Sequence, residues 1–150
     1  MSAYLAEILT LTFTGFAAVY PLLLWITPRT LVDGGFYRFN QGMVSIIGSI
    51  GVIFFYLSDA GQTHWTVGVI WIVIQLFVTA IYWNSKRINN FVTSIPSILG
   101  ISFLVIMNVA LIPYNINIIN HFIIVIGHTV LAAGFFAMIL GHWYLNVIQL

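Results

Sequence analysis

Five apolar runs, near residues 4–26, 40–58, 65–84, 91–112 and 117–148, make up most of the chain, and the last four carry no Asp, Glu, Lys or Arg in their interiors. Each is long enough, or nearly so, to cross a hydrocarbon layer ~30 Å thick as a helix. The expected fold class is therefore all-α, a polytopic bundle of five transmembrane helices. The second run is the shortest and contains Gly42, Gly48 and Gly51, yet Met43 to Leu57 is uncharged and holds Phe54-Phe55-Tyr56, so it counts as a span. The fifth exceeds what one crossing needs, which predicts a tilted helix or an end projecting into the interface.

Composition closes off the soluble alternative. Hydrophobic residues make up 61% of the chain and charged residues 5%, where water-solvated domains carry about 25% charge. The 150 residues include no long polar stretch, so there is no room for a soluble catalytic domain, and 1–150 reads as one transmembrane helical domain. A net charge of +1 excludes nucleic acid as a partner, because binding it needs a basic patch that displaces counterions. The absence of cysteine removes disulfides, thiolate nucleophiles and thiolate metal sites. Met1 to Glu7 has no basic region before the first apolar run, which predicts a retained helix and no cleaved signal peptide.

The few charges predict an orientation. With these spans, Arg29 and Arg38 fall in the first loop and Lys86 and Arg87 in the third, all on one side, whereas Glu7 and Asp59 fall on the other. The positive-inside bias makes the basic side cytoplasmic or its organellar equivalent, with the N-terminus outside and the C-terminus inside. Trp25, Trp65, Tyr82, Trp83, Trp143 and Tyr144 stand near span ends, where amphipathic rings anchor at the headgroup level. Short loops predict that successive helices are antiparallel neighbours. Pro21, Pro96 and Pro113 are expected to kink or stop their helices.

One motif points beyond packing. Gly127-His128, Gly134-Phe135 and Gly141-His142 recur at seven-residue intervals, with His121 one interval earlier. On a helix, His128 and His142 lie about 40° apart in azimuth and roughly 21 Å apart in height. Ala133, Ala137 and Gly141 form one ridge of small residues and Gly127, Gly134 and Gly141 a second; such ridges let another helix, or a flat ligand, approach the backbone closely. Two histidines fourteen residues apart on one transmembrane helix resemble the arrangement in dihaem cytochromes of the b type, where such a helix gives one axial ligand to each of two haems. That resemblance covers one helix and implies haem b, with His128 and His142 as axial ligands and Gly127, Gly134 and Gly141 making room for the porphyrin. No other run holds a histidine at mid-depth, so the opposite ligands would come from a partner subunit or a second copy of the chain.

Other chemistry is sparse. The same histidines can instead hydrogen-bond to Gln75, Thr79, Asn108 or a backbone carbonyl, which is a purely structural role. Ser45, Ser49, Gln75 and Thr79 could line a pore, although the carboxylates and basic pairs usual in proton-coupled transport are missing from the spans. His64 and His121, with Met107, form a weak outer copper site, since imidazole and thioether suit that metal. Ser97-x-x-Gly100 and Ser45-x-x-x-Ser49 read as close-packing sites, and the Arg29 and Arg38 loop as a solvated turn near headgroups. No hydrolytic motif, metalloprotease motif or phosphate loop is present. The expected function is a non-catalytic integral subunit or interaction partner in a plasma, inner or organellar energy-transducing membrane. It would meet other membrane subunits, or copies of itself, through the ridges of its last helix. The alternatives are a haem- or quinone-linked electron-transfer subunit and a small channel or transporter.

Overall fold

The computed structural model describes residues 3–23, 34–58, 64–83 and 89–111, together with part of the stretch from 117 to 141. Four long helices carry the fold: α1 (Ala3–Leu23), α2 (Gly34–Tyr56), α3 (Trp65–Tyr82) and α4 (Asn90–Leu111). There is no strand among the described residues. All four helices are long and apolar enough to cross a membrane. A shorter apolar helix, Thr129–Ile139, lies inside the expected fifth run, and much of the remainder of 117–148 lies outside the described residues. Among the described residues there are thus four helices of crossing length, and the expected fifth run falls largely outside them.

Three helices begin within a residue of the expected runs, but α2 begins at Gly34 and not near residue 40. Arg38 consequently stands on α2 and not in the first loop, a correction with a clear cause. Its long apolar stem can lie along the helix while the charged head reaches polar partners. The guanidinium donates from Nε to the Gly34 carbonyl at 3.3 Å and from Nη1 to the Trp83 carbonyl at 3.0 Å. The second acceptor belongs to the C-terminal end of α3, where a cation complements the partial negative charge of the helix. Pro21 and Pro96 are carried inside α1 and α4 and do not end them.

Successive helices run antiparallel. Gly51 lies against Thr14 and Gly48 against Ala17, Gly48 also against Ile72, Gly68 against Val52 and Phe103, and Gly100 against Trp71, so residue numbers rise on one helix as they fall on its neighbour. Backbones approach between α1 and α2, α2 and α3, α3 and α4, and α4 and α1, whereas the diagonal pairs stay apart. The result is a four-cornered up-and-down bundle. Its centre is filled by Phe16, Phe55, Trp71, Phe103 and Met107, all essentially without exposure. Phe55 and Phe103 meet edge to face across the α2–α4 diagonal at 5.4 Å between centroids, and Trp71 tilts against Phe103 at 5.8 Å. Outward positions such as Ile53, Ile70, Phe77, Ile98 and Val109 are exposed and apolar. A helix apolar on both faces belongs in a core or in a membrane.

Candidate functional site

The polar residues of the interior collect between α2 and α3. Gln41 and Ser45 stand one turn apart on α2, Gln75 and Thr79 one turn apart on α3, and the antiparallel register sets the two pairs face to face. Gln75 donates from Nε2 to Gln41 Oε1 at 2.7 Å and to Thr79 Oγ1 at 3.2 Å. The Thr79 hydroxyl donates to the Gln75 carbonyl at 2.8 Å, the Ser45 hydroxyl to the Gln41 carbonyl at 2.9 Å, and the two hydroxyl oxygens are 3.2 Å apart. All four side chains are buried. In a low-dielectric interior such a network rigidifies what it joins, and an unpaired member would be costly. Every member is neutral, so the cluster can hold helices together but has no general base or charged ligand to offer.

Nearby, Tyr20 donates its hydroxyl to Asn40 Oδ1 at 2.6 Å, and Asn40 Nδ2 donates to the Phe36 carbonyl at 2.7 Å. This ties α1 to the same half of α2. Of the four pore candidates, Ser45, Gln75 and Thr79 come together, whereas Ser49 is half-buried and donates to the Ser45 carbonyl at 2.7 Å. Sequence reasoning missed Gln41. The signal was there: polar residues four apart on two successive apolar helices, which antiparallel packing aligns.

Glycines shape the rest of the interior. A Cβ added at Gly100 would lie 2.7 to 2.8 Å from three atoms of the Trp71 indole, and one at Gly48 would lie 3.4 Å from the far edge of the same ring. Trp71 is therefore clasped between α2 and α4. A Cβ at Gly68 would lie 2.7 Å from the Phe103 ring, and one at Gly51 2.9 Å from the Thr14 backbone nitrogen. Small residues at these positions let membrane helices approach closely, where dispersion and not the hydrophobic effect drives association. Ser97 is also buried, so Ser97-x-x-Gly100 is a close-packing site as expected.

The last apolar segment behaves differently on its two sides. Thr129 and Ala133 are buried, and Ala137 packs against the core cluster. A Cβ at Gly15 would lie 3.3 Å from the Thr129 Cα, which places this side of the segment on α1. By contrast, a Cβ at Gly127, Gly134 or Gly141 meets no described atom within 4 Å. Leu131 and Met138 alternate with those glycines at spacings of three and four, and they are 74% and 75% exposed. At 100° per residue this seam lies about a third of a turn from the Thr129–Ala133–Ala137 side.

His121, His128 and His142 lie outside the described residues. Their suggested partners Gln75 and Thr79 bond to each other and to α2, and Asn108 donates from Nδ2 to the Leu104 carbonyl at 3.0 Å. His64 is exposed at the entry to α3, and Met107 is fully buried in the core. Among the described residues no three His, Cys, Asp or Glu side chains cluster. Of the span-end aromatics that are described, Trp65 and Trp83 are exposed and Tyr82 is half-buried, and Trp65 packs edge to face on Tyr56 at 5.5 Å.

These features define the class of protein: an all-α bundle with four helices long and apolar enough to cross a membrane. No family model matches the chain, and neither a curated protein nor a solved structure matches it.

Proposed function

We propose that the chain is an integral membrane subunit that associates laterally with another membrane helix along the seam Gly127, Leu131, Gly134, Met138 and Gly141. Its N-terminus lies outside and its C-terminus inside, in a plasma, inner or organellar membrane, a placement that rests on the positive-inside bias. The observation that carries the reading is the contrast between glycines. Those of α2, α3 and α4 at the bundle interior are each filled by a neighbouring side chain, and those of the seam meet no described atom within 4 Å. A row of small residues that meets no described atom of its own chain suits a helix from another chain. The filled centre favours this over a path for solutes through the bundle, since Trp71, Phe55, Phe103 and Met107 occupy the axis and the polar cluster bonds to itself.

A photo-crosslinking amino acid placed at Leu131 or Met138 in native membranes tests the proposal. Discrete protein adducts are expected there, with lipid adducts alone from Phe77, which is 66% exposed on α3. Lipid adducts alone from all three positions would remove the reading. The second reading is a b-type haem subunit. It is favoured by the same open row, which is adjacent in sequence to His128 and His142 and would leave room for a flat ligand. An oxidised and then dithionite-reduced absorbance spectrum separates the two. Soret and α bands that decline in His128→Ala and His142→Ala would establish haem, and a featureless spectrum with haem supply adequate would discard it.

A further inference from the structure

Among the described residues six buried side-chain polar atoms have no hydrogen-bond partner, and three of them stand on the packed pair α3 and α4: Trp71 Nε1, Gln75 Oε1 and Ser97 Oγ. Trp71, Gln75 and Ser97 have exposures of 1%, 0% and 0%. The register sets the three residues at neighbouring levels of the two helices. The Trp71 indole nitrogen is 2.8 Å from where a Gly100 Cβ would stand, so its N–H lies on the α4 side of the ring. From that contact, Gln75 is four residues further along α3 on the same face. Ser97 is three residues back along α4, also on the same face, and in an antiparallel pair the two steps lead in the same direction. Both are then about 4.5–6 Å along the axis from the Trp71–Gly100 contact. Gln75 gives both hydrogen bonds of its amide nitrogen to Gln41 and Thr79, and its carbonyl oxygen is the end of the amide left unpaired.

The three atoms are chemically complementary without being partners of each other. Indole N–H only donates, the amide oxygen only accepts, and the serine hydroxyl does both. Buried tryptophan N–H groups and buried amides are almost always paired, because leaving one unpaired in an apolar interior costs on the order of 1–3 kcal/mol. A single water spans about 5.5 Å through two hydrogen bonds of ~2.8 Å and is retained where it finds two to four polar partners. We propose that Trp71, Gln75 and Ser97 form a buried water site between α3 and α4. The water accepts from Trp71 Nε1, donates to Gln75 Oε1, and exchanges a hydrogen bond with the Ser97 hydroxyl. It thereby extends the Gln41–Ser45–Gln75–Thr79 network from α2 and α3 onto α4. The site is independent of lateral association, since none of its members lies on the last segment.

Water-edited solid-state NMR on the full chain in lipid bilayers, with tryptophan labelled at the indole nitrogen, tests it. Trp71→Phe identifies the resonance, and exposed Trp65 and Trp83 serve as positive controls. The expected result is magnetisation transfer from water to the fully buried Trp71 indole proton, reduced at least severalfold in Ser97→Ala. Absence of that transfer in the unsubstituted chain would overturn the proposal whether or not Ser97→Ala folds. Transfer undiminished in Ser97→Ala would overturn it as well, and a direct Trp71–Ser97 bond would show as an indole shift in that variant without any water signal in the parent.

Discussion

The glycines of the interior and the glycines of the last segment are the same residue put to opposite use. Gly48, Gly51, Gly68 and Gly100 are holes filled by Ile72, Thr14, Phe103 and Trp71, so each sets the distance between two helices of one chain. Gly127, Gly134 and Gly141 touch no described atom within 4 Å, while the neighbouring Thr129 and Ala133 are buried against the bundle. A small residue in a membrane helix is therefore not one signal but two. Which one applies depends on whether the hole is already occupied.

The largest effect expected is at Gly100. Alanine there drives a Cβ into an indole held on both sides, and α4 or the ring must move. Overpacking of this kind costs ~1–3 kcal/mol. Gly100→Ala should lower the thermal midpoint by several degrees, and Trp71→Leu should relieve the clash in a double-mutant cycle. Gly51→Ala should behave similarly, because its obstacle is the Thr14 backbone and cannot rotate away. If Gly100→Ala is as stable as the parent, the occupied-hole reading of the interior fails.

A smaller loss is expected from Gln75→Leu, which removes the bonds to Gln41 and Thr79 and strands the buried Gln41 oxygen. Hydrogen bonds between membrane helices average ~0.6 kcal/mol, so the loss should be about 1 kcal/mol in a reversible unfolding assay. Gln75→Leu with Gln41→Leu should recover part of it, since two apolar groups leave no orphan. The smallest effect on the fold is expected at Gly134. Alanine meets open space there and is the better helix former by about 1 kcal/mol, so Gly134→Ala should leave the midpoint unchanged or raise it. A clear fall would mean that the seam is already occupied within the chain.

Helix positions were readable from hydropathy because apolar length and scarce charge leave few alternatives to a spanning helix. The start of α2 was not, since Gly34, Gly35 and Arg38 look like loop residues until Arg38 is seen to reach the Trp83 carbonyl on the next helix. The polar cluster was half legible. Ser45, Gln75 and Thr79 stood out as polar residues in apolar runs, but Gln41 gains its meaning only from the register that sets it opposite Gln75. The glycines of α2 looked like weak points of a short span, because sequence alone cannot say which side chain will fill a hole. Trp71 gave no signal for the same reason. Its role depends on Gly48 from one helix and Gly100 from another. Of the Gly-His repeat, the glycines and the spacing were legible, and His121, His128 and His142 lie outside the described residues.

The contrast between the two sets of glycines comes down to a single paired measurement: crosslinking from Met138 in native membranes, in the parent chain and in Gly134→Leu, with the thermal midpoint followed in both. If the seam docks a partner helix and the interior does not depend on it, the protein adduct seen in the parent disappears in the variant while the midpoint holds. An adduct that survives the substitution, or a midpoint that falls with it, would contradict the division between holes filled within the chain and holes left for a neighbour.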